Sequence, residues 1–159
     1  MRILGLSFGF HDAGACMLDG DQIEFAGHSE RYSKEKNDAW INNELINAAI
    51  EGGKPDVIVL HEKAWAKRMR NLYAGNWRAL REPTQRQWIK KFYPQLAGIP
   101  IKDYWHHETH AGAGALSSNF DECAVMVIDA IGEFDTASIW QWQDNKLKKL
   151  HSIKFPSSL

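Results

Sequence analysis

Nowhere in the 159 residues is there a run of about 18 apolar side chains, so the sequence predicts no membrane-spanning helix. The N-terminus carries a single Arg2 and a short apolar run broken by Gly5 and Gly9. That layout is not a secretion signal, and a cytoplasmic protein is expected. Cysteine is scarce. Cys16 and Cys123 each sit inside an apolar, strand-like stretch, which excludes a disulfide framework and predicts two buried thiols. Neither sign of charge dominates: 19 Lys and Arg face 20 Asp and Glu, a net charge of -1, so no strong overall attraction to polyanions is expected. There is no low-complexity tract and no internal repeat. What is present, 44% hydrophobic and 25% charged residues, is enough to bury a core of one domain or a large piece of one.

The charge is unevenly placed. Between Glu62 and Pro94 nine Lys and Arg stand against two Glu, a net +7, which leaves -8 for the remainder. The same stretch holds Trp65, Trp77 and Trp88. Basic residues interleaved with aromatics can bind phosphate or nucleic acid. The basic residues spread around the helical positions instead of forming one stripe, so the expectation is amphipathic helices that pack their aromatics inward and solvate their charges.

In chain order, Arg2 to Phe8, Ala13 to Leu18 and Gln22 to Gly27 read as three antiparallel strands, with Asp19-Gly20-Asp21 as a hairpin turn. The loop Gly9-Phe10-His11-Asp12 lies between the first two. A His-Asp pair at a strand end can reach a ligand, with His11 as a general base tuned by Asp12; a loop histidine bonded to backbone is the plain alternative. Ser29 to Asp38 reads as a charged loop, and a lysine there could neutralise phosphate. Asn42 to Glu51 has helical periodicity and is stopped by Gly52-Gly53. Val57 to Leu60 is a short buried strand, followed by the basic helices to about Tyr93 and a strand at Ile99 to Tyr104. Thr136 to Trp142 and Leu147 to Ile153 begin a second antiparallel series around Asp144-Asn145.

The chemistry centres on His106-His107-Glu108-Thr109-His110. If the segment through Leu116 is helical, His106 and His110 project from one face. The run Ala124 to Ile128 reads as a fully buried strand ending at Asp129, a carboxylate at the lip of a cleft. Two histidines and one aspartate converging there make a three-ligand metal site with open positions; the plain alternative is a solvated histidine cluster. The metalloprotease motif H-E-x-x-H is absent, because after His107-Glu108 the next histidine comes one position early.

The β-β-β-α-β order followed by a second β-series is similar to the duplicated ribonuclease H-like α/β fold of sugar kinases, actin and heat-shock ATPases. Five segments then resemble, in order, the O-carbamoyltransferases of the NodU/CmcH type, the family that includes the tobramycin carbamoyltransferase. They are Met1 to Leu6, Phe10-His11-Asp12-Ala13, Ser29-Glu30-Arg31-Tyr32-Ser33-Lys34-Glu35-Lys36, His106 to Ala111, and Asp129-Ala130-Ile131-Gly132-Glu133-Phe134-Asp135-Thr136. With Tyr73-Ala74-Gly75 in the basic region, the chain looks closest to versions encoded by marine cyanophages, which would work in a host cytoplasm.

The resemblance implies that residues 1–159 are the N-terminal part of a threonylcarbamoyl-transferase-like domain. About 1–105 would be the first ribonuclease H-like unit, and 106–159 the metal-site helix and the start of the second. It implies that carbamoyl phosphate and ATP give a carbamoyl-adenylate, from which the carbamoyl group passes to a hydroxyl of an acceptor. By the same resemblance His106, His110 and Asp129 hold a divalent metal, Fe2+ in the family and open to other divalent ions, that grips nucleotide phosphates. His11 deprotonates or orients the acceptor hydroxyl beside Asp12, Lys36 contacts nucleotide phosphate, and Glu133 lies in the nucleotide pocket. Ala130 stands where the family has Gly, Phe134 where it often has Trp, and Asn37 where it often has His. Pro156-Ser157-Ser158-Leu159 is similar to the start of a family motif that continues into a helix. A shortened chain, a split gene product or an intein-interrupted half would all account for this, and each predicts the C-terminal remainder or a split-gene partner as the partner. A threonylcarbamoyl-type tRNA-modifying enzyme and a non-catalytic metal-binding fragment are the alternatives, the first with nucleic acid as acceptor.

Overall fold

The computed structural model describes residues 1–158; Leu159, the last residue of the C-terminal motif, lies outside them. The fold is mixed α/β and divides into two compact units. One takes in Met1–His61 and Glu82–Asp103, and the other Glu62–Arg81 together with the stretch from Tyr104 onward. The stretch 62–81 thus groups with the later residues, and the first unit is built from two separate stretches of chain.

The first unit is built on β1 (Arg2–Ser7), β2 (Gly14–Asp19), β3 (Gln22–His28), β4 (Val57–Leu60) and β5 (Ile101–Asp103), in the spatial order β3-β2-β1-β4-β5. The first three are antiparallel, as tight turns require, and Gly20 takes the left-handed conformation that the β2–β3 turn needs. β4 and β5 join parallel to β1, each reached by a crossover. Leu4, Leu6, Met17, Ile58 and Leu60 form the sheet side of the core. Leu45, Ile46 and Ala49 of α2 (Asn43–Ala49) and Ile89 of α4 (Gln85–Phe92) belong to the same core. Asn42 caps α2, its side-chain oxygen accepting the Leu45 N–H at 2.8 Å. The buried Tyr93 hydroxyl donates to the Ile41 carbonyl. The charged segment after β3 is not wholly loop. It opens with one helical turn, α1 (Glu30–Ser33), ended by Lys34 in a left-handed conformation.

The second unit comprises α3 (Ala64–Tyr73), α5 (His106–Ser117) and the antiparallel sheet β6 (Cys123–Gly132), β7 (Asp135–Gln143), β8 (Lys146–Lys154), in that order. Three expectations need correction. β6 is not fully buried. Val127 is buried, but Met126 and Ile128 on the alternate face are 63% and 62% exposed, because α5 covers one side of an edge strand. The aromatics of the basic stretch do not all turn inward. Trp88 packs against the first unit's core, while Trp65 and Trp77 are 61% and 70% exposed. Trp65 meets the Trp105 ring edge-on at 5.8 Å. Cys16 and Cys123 are unpaired thiols, as expected, but half-buried. No helix among the described residues is long and apolar enough to cross a membrane.

Candidate metal centre

The site arises from how α5 lies on β6. Past its histidines the helix reads Ala-Gly-Ala-Gly-Ala. Ala111 and Ala115 are buried, and a Cβ at Gly114 would stand 3.4 Å from Val125 Cγ1, so small residues let the helix approach the strand closely. Strand alternation turns Val125, Val127 and Asp129 toward one face. Val127 packs with Ala111, and Asp129, two residues on, faces the first turn of α5. One helical turn apart, His106 and His110 point to the same place.

His106 Nε2 lies 2.8 Å from Asp129 Oδ2 and 3.0 Å from His110 Nε2. His110 Nε2 is 3.9 Å from the same carboxylate oxygen. These are the three residues singled out from spacing. Asp129 lies inside β6, three positions before its end, and not at the terminus the sequence suggested. Its other oxygen accepts the Ala130 N–H at 2.6 Å, a contact that a glycine or an alanine supplies equally, so Ala130 leaves it intact.

The donor set fits a divalent cation. Ligands about 2.1 Å from one ion sit about 3.0 Å apart at right angles and about 3.4 Å apart at the tetrahedral angle. The three observed separations, 2.8, 3.0 and 3.9 Å, bracket both values. Two imidazole nitrogens facing each other at 3.0 Å share room for one proton, a demand that a metal ion removes. Protonation also suits ligation. Burial and the neighbouring His106 hold the His110 imidazole below the usual histidine range, toward the neutral form a metal needs. Burial pushes the Asp129 carboxyl up. The His106 hydrogen bond, the Ala130 amide and the charges of both imidazoles outweigh it and leave the group below the ordinary aspartate value.

His107 turns the other way. It is 1% exposed, with Nδ1 2.7 Å from Ser138 Oγ, which also receives the Trp140 Nε1–H at 2.7 Å. Burial, the largest effect, favours its neutral form. Ser138 and Trp140 were not picked out in the sequence, since nothing in their spacing marks them. Glu133, expected in a nucleotide pocket, is buried in the β6–β7 turn. Its carboxylate accepts the backbone N–H of Lys63 at 2.7 Å and that of His106 at 3.1 Å.

His11, Asp12 and Lys36 belong to the first unit. His11 Nδ1 is 2.7 Å from Asp12 Oδ2, a spacing at which the carboxylate can accept an Nδ1–H. Asp12 takes a left-handed conformation. Lys36 is exposed.

No protein-family model matches the sequence. A protein of Synechocystis sp., described as uncharacterized, is 32% identical over 184 aligned positions that take in 99% of this chain and 30% of that protein. The chain therefore spans about 30% of the length of that relative.

Proposed function

We propose that this chain is the N-terminal portion of an ATP- and metal-dependent O-carbamoyltransferase. Carbamoyl phosphate, water and ATP would yield a carbamoyl-adenylate with release of phosphate and pyrophosphate, and the carbamoyl group would then pass to a hydroxyl of a small-molecule, sugar or nucleoside acceptor as AMP leaves. The observation that carries the reading is the convergence of His106, His110 and Asp129 at cation-ligand spacing. The sheet order β3-β2-β1-β4-β5 with its antiparallel-then-parallel pattern supports the ribonuclease H-like fold. The meander β6-β7-β8 has neighbouring strands in chain order, as β1-β2-β3 do, which supports a duplicated fold. The 32% identity to a protein more than three times as long supports reading this chain as a portion of a larger protein.

A bound divalent ion, with Fe2+ the first candidate, would supply Lewis-acid charge that neutralises and orients nucleotide phosphate. The chain's own side chains do the rest. His106, His110 and Asp129 would hold the cation. His11, kept in one tautomer by Asp12, offers Nε2 to the acceptor hydroxyl as the mixed anhydride is attacked. Lys36 presents a positive charge to phosphate. Acyl transfer from a mixed anhydride asks for little beyond positioning and a base.

The test joins this chain to its C-terminal remainder and supplies Fe2+, ATP and carbamoyl phosphate under anaerobic conditions. Carbamoyl-adenylate by mass spectrometry, lost in His110→Ala, is the expected result. A complete, metal-loaded protein that consumes no ATP would overturn the reading, and transfer to tRNA would move it to the tRNA-modifying class.

A further inference from the structure

We infer that the Gly132–Glu133 turn between β6 and β7 is a positioning device for the metal ligand His106, and that Glu133 serves it through the two helix starts that it caps. The inference rests on the metal-site reading above and adds two residues that are not ligands.

The first observation concerns space. A Cβ at Gly132 would stand 2.6 Å from His106 Cδ2, 2.8 Å from His107 Cδ2 and 2.9 Å from His106 Cβ. Turning the His106 ring relieves only one of these contacts. His106 Cβ is fixed to the helix backbone, and the His107 ring is held in the core by Ser138. Any side chain at 132 therefore displaces the start of α5, and with it the imidazole that faces Asp129. Gly132 is buried, so the strand cannot swing outward into open space at that residue.

The second observation concerns hydrogen bonds. α3 and α5 begin at residues whose side chains cannot cap them. The residue before α3 is Lys63 and the one before α5 is Trp105, and neither carries an acceptor. Glu133 takes their place from another element. Oε1 accepts the Lys63 N–H at 2.7 Å and Oε2 the His106 N–H at 3.1 Å. A buried carboxylate at two helix starts also meets the positive ends of both helix dipoles. Glu133 adopts φ of 33°, a left-handed conformation that costs a non-glycine residue energy and persists where surrounding contacts impose it. Both oxygens are already engaged, and a carboxylate repels phosphate. The group is therefore suited to holding the His106 backbone and not to touching nucleotide.

The experiment titrates Co2+ into the full chain and into Gly132→Ala and Glu133→Gln. In the glutamine variant the amide oxygen can still take one N–H, but the NH2 meets the other donor. Co2+ affinity should fall about 10–100-fold in each variant, the range for lost outer-shell partners. The visible band of bound Co2+ should change while the far-ultraviolet circular dichroism stays as in wild type. Should Gly132→Ala not fold, Glu133→Gln decides. Wild-type affinity and spectrum in the folded variants would overturn the inference while leaving the metal site standing. If the wild type itself binds no Co2+, the metal reading fails, and the backbone amides of the metal-free protein decide. Loss of exchange protection at Lys63 and His106 in Glu133→Gln upholds the clamp, and unchanged protection removes it.

Discussion

At the scale of single residues, the charge of Asp129 separates a ligand from a hydrogen-bond partner. Asp129→Asn keeps a side-chain oxygen near His106 but removes the negative charge. If the aspartate ligates a cation, isothermal titration should show metal affinity falling by more than about 100-fold, beyond the loss expected for an outer-shell partner. Retained affinity would make the contact a plain hydrogen bond. Tyr93 gives an independent prediction about stability. Burial, the main cause, raises its phenol above the usual value of 10.0. Well below pH 10 the group is protonated in folded and unfolded chains alike. As the pH rises past that point the unfolded chain ionises first, so the folded state holds more protons and its stability falls. Urea midpoints should therefore drop on the alkaline side, and Tyr93→Phe should flatten that limb while costing about 1–3 kcal/mol at neutral pH for the orphaned Ile41 carbonyl. Spacing alone made His106 and His110 legible as partners, because one helical turn is a local rule. The role of Glu133 was not legible, since its donors at Lys63 and His106 lie 70 and 27 residues away and no short motif encodes them.

At the scale of elements, local chemistry explains what could be read in advance. β1 to β4 and α2 formed where alternation, turn residues and the Asn42 cap agreed with one another, so local and global preferences did not conflict. The cap can be tested. Asn42→Ala removes the acceptor for the Leu45 N–H and the donor to the Ser29 carbonyl, at 2.8 and 3.1 Å. Denaturant unfolding should lose about 1–2 kcal/mol, at the upper end for caps because two bonds go together. A change within error would mean that water replaces both. β6 shows where local reading ends. Five consecutive apolar residues, Ala124 to Ile128, have the same signature whether one face or both faces of a strand are covered. Only the placement of α5 shows that Val125 and Val127 are on the packed side.

At the scale of the whole molecule, that half-covered strand has consequences. Met126 and Ile128 lie on β6, an edge of its three-stranded sheet, and pair across β7 with Ile139 and Ala137. An exposed apolar face beside an open edge is a template for association, both by hydrophobic contact and by unpaired backbone groups. The chain by itself should therefore bind a hydrophobic dye strongly and sediment as a concentration-dependent mixture. Met126→Thr with Ile128→Thr keeps β propensity while making the face polar. The double variant should lower dye fluorescence severalfold and shift sedimentation toward the monomer, with the Co2+ site intact because neither side chain faces α5. Unchanged association in the double variant would place the sticky surface elsewhere, with the exposed Trp65 and Trp77 the next residues to substitute. Joining the C-terminal remainder should suppress dye binding as fully as the substitutions do, since the proposed enzyme needs that segment to cover what this chain leaves open.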